Sequence, residues 1–258
     1  MPALFLISAL LLQQPGVAPK QSVDEIVAAV SRNVREFQEL LPDFVCDERI
    51  TSTVFESGIV RTMKTVESVF SAVQKPSPLP RNGQLTFTET REIIAIDGKA
   101  VRKGADMPKL PFAIFGGFSA LISMTFSPEN LEYHTYKLNR ALDEGRLVVN
   151  FATKRDQQKL RTFLNGESQV ARDRGLAWID PASYQVVRLE RNVLTLPGDV
   201  RRLKNTVEYG PTAIGEREFW LPLIMRSGAT DRDSRKTKVF LADYTNCKKF
   251  VADIKIVP

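Results

Sequence analysis

Val187-Arg188-Leu189-Glu190-Arg191-Asn192-Val193 puts Val187, Leu189, Arg191 and Val193 on one side of an extended chain and Arg188, Glu190 and Asn192 on the other. Successive side chains of a strand point to opposite faces, so this period of two reads as a strand with one buried face and one wet face. The pattern recurs in Leu147, Val149 and Phe151 against Arg146, Val148 and Asn150, and in Val239 and Leu241 against Lys238 and Ala242. Turn signals fall between such stretches: Ser57-Gly58, Asn82-Gly83, Asp97-Gly98, Glu144-Gly145, Asn165-Gly166, Asp180-Pro181, Pro197-Gly198 and Tyr209-Gly210-Pro211. Strands joined by short turns of this composition predict an antiparallel meander from Cys46 onward.

Upstream of Cys46 the period is different. Ser22-Val-Asp-Glu25 is a capping box, in which the serine hydroxyl accepts from the Glu25 amide and the glutamate reaches back. Ile26, Val27, Val30, Val34, Phe37, Leu40 and Leu41 follow at three- and four-residue intervals, and Pro42 ends the run. This predicts an amphipathic helix whose apolar stripe lies on the sheet. A second stretch also breaks the strand pattern. Leu110 to Pro128 carries no charge, and Phe112, Phe115, Phe118, Leu121 and Ile122 share a helical face, with Gly116-Gly117 in the middle. At about 15 residues it is short for a bilayer-spanning helix. Two readings are open: a core helix plugging the sheet, or a lid over an apolar cavity with Gly116 and Gly117 as its hinge.

The chain has 258 residues, 43% of them hydrophobic and 26% charged, which suits one packed domain and argues against extended disorder. Its single histidine, His134, and two cysteines, Cys46 and Cys247, leave almost no ligands for a His/Cys zinc site. No phosphate-cradling G-x-x-x-x-G-K-[ST], dinucleotide G-x-G-x-x-G or nucleophile-elbow G-x-S-x-G is present. Asp97 and Asp180 sit where turn formers sit. These observations favour binding over chemistry: no catalytic residue, metal ligand or cofactor is assigned, and the protein is not expected to be an enzyme. His134 reads as a surface strand histidine, with a pH-sensing role as the alternative.

Ala3 to Leu12 is an apolar run of ten, within the length of a secretory leader and too short to span a bilayer. Residues 1–18 are therefore expected to be a signal peptide and residues 19–258 a single β domain, periplasmic or secreted, not integral to a membrane. In an exported chain Cys46 and Cys247 suggest a disulfide, the alternative being two buried thiols. The net charge of +6 resides in short basic groups: Lys154-Arg155 with Lys159 and Arg161, Arg172 with Arg174, Arg201-Arg202 with Lys204, and Arg232 to Lys238. Gathered on a rim they would attract anionic headgroups; scattered they serve solubility. Without interleaved aromatics they give no reason to expect nucleic acid.

Gly175-Leu-Ala-Trp178-Ile-Asp180-Pro181, followed by Tyr184-Gln-Val-Val-Arg188-Leu-Glu190, resembles a hairpin of exported proteins similar to the lipoprotein carriers LolA and LolB and the sensor RseB. Val207-Glu-Tyr209-Gly210 leading to Phe219-Trp220-Leu221-Pro222 resembles their next hairpin, and Asp243-Tyr244-Thr-Asn246-Cys247 their closing strand. The resemblance implies a mainly β (α+β) fold: a strongly curved antiparallel sheet, an unclosed β-barrel, with an N-terminal helix and an inserted apolar helix over its hydrophobic concave side. It also implies a partner, either a lipid or acyl chain held in that concavity or an envelope protein. The cavity-lining candidates are Phe112, Phe115, Phe118, Leu121, Ile122, Phe151, Trp178 and Trp220. The competing function is a structural or interaction module whose core is filled by its own side chains.

Overall fold

The computed structural model describes residues 21–76, 85–114, 117–143, 145–164, 167–196, 198–233 and 235–250. The leader expected over residues 1–18 lies outside them, as do Phe115, Gly116 and the turns at Asn82-Gly83 and Asn165-Gly166.

Helix α1 (Val23–Leu40) opens on the capping box as expected, with Ser22 and Glu25 each satisfying the other's backbone amide. Its stripe buries Ile26, Val27, Val30 and Val34, each contributing about 1.5–3 kcal/mol relative to exposure. The strands follow: β1 (Phe44–Glu56), β2 (Ile59–Pro76), β3 (Leu85–Ile96) and the short β4 (Lys99–Ala100). Helix α2 (Gly117–Phe126) and a 3-10 turn (Pro128–Tyr133) interrupt them. Then come β5 (His134–Asp143), β6 (Arg146–Thr153), β7 (Arg161–Leu164), β8 (Glu167–Val170), β9 (Asp173–Ile179), β10 (Val186–Val193), β11 (Val200–Ile214), β12 (Arg217–Asp231) and β13 (Lys236–Lys249).

Eleven strands form one antiparallel sheet in the order β4-β3-β2-β1-β13-β12-β11-β10-β9-β6-β5, and β7 pairs with β8 apart from it. The first long strand and the last are neighbours, and the disulfide Cys46–Cys247 joins them across 201 residues of sequence. The two ends of the sheet do not meet, but α2 shows how far it bends. Phe118 packs in a tilted contact on Phe70 of β2 at 5.0 Å between ring centroids, while Phe126 stacks on Tyr136 of β5 at 5.7 Å. In a flat sheet β2 and β5, eight strand spacings apart, would be separated by about 38 Å. Eight residues of helix span only about 12 Å. The sheet therefore wraps around α2, giving the unclosed barrel with its concave face on the helices.

Four expectations change. The turn expected at Tyr209-Gly210-Pro211 is continuous strand, and the chain reverses instead at Gly215, where φ is +65°. β11 pairs with β10 only as far as Glu208, so at Pro211 it is paired with β12 alone and the missing N–H is tolerated. The face of β13 is reversed: Phe240, Ala242 and Tyr244 point inward, and Val239 and Leu241 outward. Both faces of that strand carry apolar residues, so alternation alone does not choose between them. Phe112 precedes α2 in a bent segment, its backbone exchanging hydrogen bonds with the Ser52 hydroxyl, so it does not share a helical face with Phe118. Finally, His134 is buried.

Candidate functional site

The concave face is built by register. Leu189 pairs with Ala177 and Val207, and Ala177 pairs with Val149, so these four inward positions form one apolar row. The row beside it reads Phe151, Gly175, Arg191, Asn205, Ser227, Phe240 and Ser52. Gly175 has a steric reason: a Cβ there would lie 1.8 Å from the Glu190 carbonyl oxygen and 2.6 Å from Phe151 Cζ.

Two charged clusters lie in this interior, alongside the buried polar side chains of Ser52, Asn205 and Ser227. On the β9–β10 side, the Arg191 guanidinium donates to Asp173 Oδ2, and His134 Nε2 lies 3.6 Å from Asp173 Oδ1. His134 Nδ1 contacts the Asn130 carbonyl at 3.0 Å, which ties the 3-10 turn to β5. Burial pushes the Asp173 carboxyl up, but the Arg191 charge and the His134 contact outweigh it and hold it below its ordinary value of 3.8. On the β1–β3 side, Glu48 Oε2 accepts from Ser68 Oγ and from Arg91 Nε, each at 2.7 Å, and Oε1 accepts from Arg91 Nη2 at 2.9 Å. Burial lowers the Arg91 guanidinium, and the bidentate carboxylate more than reverses this, holding it above its ordinary value. Burial also raises the Tyr244 and Tyr209 hydroxyls, which stay neutral. Glu48 and Asp173 each face an arginine inside the fold and belong to opposite halves of the sheet. The clusters fix side chains in the core.

A cavity of about 490 Å³ opens at one end of the concave side, between α1, α2 and the ends of β10, β11 and β12. Its apolar lining includes Val34, Phe37, Ile122, Val186, Phe219 and Trp220, and its polar lining includes Asn33, Glu36, Gln185, Arg217 and Glu218. That size and mixed lining fall in the range of small-molecule sites. Of the residues singled out in the sequence, Ile122 and Trp220 meet here. Phe118 and Leu121 of α2 and Phe151 of β6 are in the packed core, and Phe112 is packed partly buried against it. Trp178 is on the opposite face, under the Arg188 guanidinium at 5.2 Å, because it pairs with Arg188 on the outward side of β10. Gly117 is the first residue of α2.

Sequence reasoning passed over the α1 wall of the cavity and both charged clusters. The signal for one of them was present: Arg191 shares a strand face with Leu189, an inward position that calls for a buried partner.

No family model matches the sequence, and no curated protein matches it. Solved structures do align with it. A DUF1329 family protein from Desulfovibrio piger aligns over 91% of this chain and 95% of its own at 11% identity, with a TM-score of 0.41. A LolA superfamily protein from Nitrosomonas europaea aligns over 93% and 98% at 13% identity, with a TM-score of 0.36. The Pseudomonas aeruginosa MucA/MucB complex aligns over 88% and 100% at 9% identity, with a TM-score of 0.22.

Proposed function

We propose that the protein is an exported, non-enzymatic carrier or binding protein of the cell envelope that holds a lipid or acyl chain against the concave side of its sheet. The observation that carries this reading is the cavity of about 490 Å³ walled by Phe37, Ile122, Val186, Phe219 and Trp220. Removing apolar surface from water at roughly 25 cal/mol per Å² gives affinity for a chain without directional chemistry. The polar side chains in the lining suit a ligand with one wet end. The disulfide supports export, since such bonds persist in oxidising compartments. Among the described residues no helix is long and apolar enough to cross a membrane. The second reading, a protein-interaction module, draws support from Phe118, Leu121 and Phe151, which fill the centre of the concavity and leave open space at its end.

Titration of the delipidated protein with a fluorescent long-chain fatty acid tests the proposal. Saturable one-to-one binding is expected, with loss of at least tenfold in affinity in Ile122→Trp, whose larger ring occupies the cavity. The absence of saturable binding to a folded wild-type protein would contradict it.

A further inference from the structure

The outward face of the sheet has no helix over it among the described residues, and its charge is divided between its two halves. Register places Lys137, Arg174, Arg188, Lys204 and Arg226 on the outward face of β5, β9, β10, β11 and β12, where Glu190 and Glu208 are the intervening carboxylates. On β13, β1, β2 and β3 the same face carries Asp243, Asp47, Glu67 and Glu92, with Arg49 and Lys248 among them. A solvated sheet face with no further role has no need of this division.

Two depressions lie within the basic half. One, of about 410 Å³, is lined by Lys137, Arg174, Asn150, Asn192 and Thr135, with no carboxylate in its lining. Ala152, a small residue that register places on the same outward face, is part of its lining. The other, of about 270 Å³, is lined by Arg188, Lys204 and Arg226 around Gly228, with Glu208 beside them. Between them, Lys204 Nζ and Arg188 Nη2 hold Glu190 Oε2 and Oε1 at 2.7 and 2.5 Å. Although burial favours the neutral acid, these contacts keep the Glu190 carboxyl below its ordinary value, so it is a paired anion and not a free repulsive one.

We propose that this basic half is a docking surface for a linear polyanion, a polymer of phosphate groups running across the strands from β5 to β12. The cations span five strand spacings, about 24 Å; Arg188 and Lys204 are engaged by Glu190, and Arg188 also lies 3.8 Å from Glu208, so Lys137, Arg174 and Arg226 are the groups that a phosphate chain would neutralise. The bend of the sheet argues for a flexible chain over a lipid surface. A flat bilayer touches an outward-curving face along a few strands, and charges more than about 8 Å away are screened at physiological salt. The ring of Trp178 is covered by Arg188, which leaves it poorly placed to stack on a base and favours a polymer read through its charge alone. This inference concerns the opposite face from the cavity and does not depend on lipid binding.

The test is titration of the full chain with inorganic polyphosphate at several salt concentrations, alongside vesicles containing an anionic phospholipid. Binding is expected to weaken steeply with salt, as release of several counterions requires. Lys137→Glu/Arg174→Glu should reduce affinity at least tenfold, whereas Arg235→Glu/Lys236→Glu, which changes net charge equally at an exposed turn, should change it less than twofold. Unchanged thermal melting shows that both variants fold. Equal losses in the two variants, no polyphosphate binding at low salt, or binding to vesicles alone would overturn the proposal.

Discussion

Arg191 shows how one side chain can be both a mark of strand register and an electrostatic liability. It occupies an inward position between Leu189 and Val193 along its strand, and Asp173 makes that position tolerable. Replacing Asp173 with Asn leaves a buried guanidinium without its counter-charge, so unfolding free energy should drop by about 3–5 kcal/mol in a denaturant titration. The same pair predicts an acid limb. The folded-state pKa of Asp173 is depressed, so its contribution is fully present above the unfolded value, near 3.8, and is lost as pH falls through the lower folded value. The melting temperature of wild type should fall over that range, and Asp173→Asn should lack this part of the fall. Gly175→Ala makes a complementary steric test. Its Cβ would meet the Glu190 carbonyl oxygen, and a cost of about 3 kcal/mol is expected by the same titration. The alternation in the sequence made Arg191 visible as an inward residue. It did not reveal Asp173 or His134, because the partners come from other strands and meet only when β5, β9 and β10 align.

At the scale of elements, the local signals held where one physical rule dominated. The capping box set the start of α1, and Asp97-Gly98, with φ of +50° and +75°, makes the tight turn its composition suggests. Signals failed where two rules compete. Gly210-Pro211 has turn composition but lies beside a bulge, and the near-continuous apolar character of Val239 to Ala242 hid the face of β13. The insert was readable as apolar and helical in its second half, whereas the Phe112 backbone is held by the Ser52 hydroxyl outside the helix. The disulfide is the element-scale feature with the largest expected effect. It closes a loop of 201 residues, and loop-entropy arguments set an upper figure of about 5 kcal/mol for its contribution. Melting with and without reductant, with Cys46→Ser/Cys247→Ser as the reference, should show a drop of about 10 °C or more in the reduced protein. An unchanged melting temperature would mean that the β1–β13 pairing holds the two ends of the chain without help.

At the scale of the whole molecule, the bend of the sheet decides where its two faces lie. The two ends of α2 touch strands that a flat sheet would hold about 38 Å apart, and this bend creates both an enclosed concave side and an exposed outer side. The antiparallel meander was legible from the strand pattern, whereas its strong curvature was what the resemblance of its hairpins implied. The location of the open space was not legible, since it depends on how α1 sits against the ends of β10 to β12, a packing outcome with no periodic trace in the sequence. Six of the expected lining residues lie elsewhere or outside the described residues, and Ile122 and Trp220 border the cavity. The most direct test of a concave side that carries an apolar guest is native mass spectrometry of the protein purified from its own host without detergent. A bound mass matching one lipid or fatty acid, reduced or absent in Ile122→Trp, is predicted. The bare polypeptide mass in wild type, unchanged after incubation with lipid extract from that host, would contradict it.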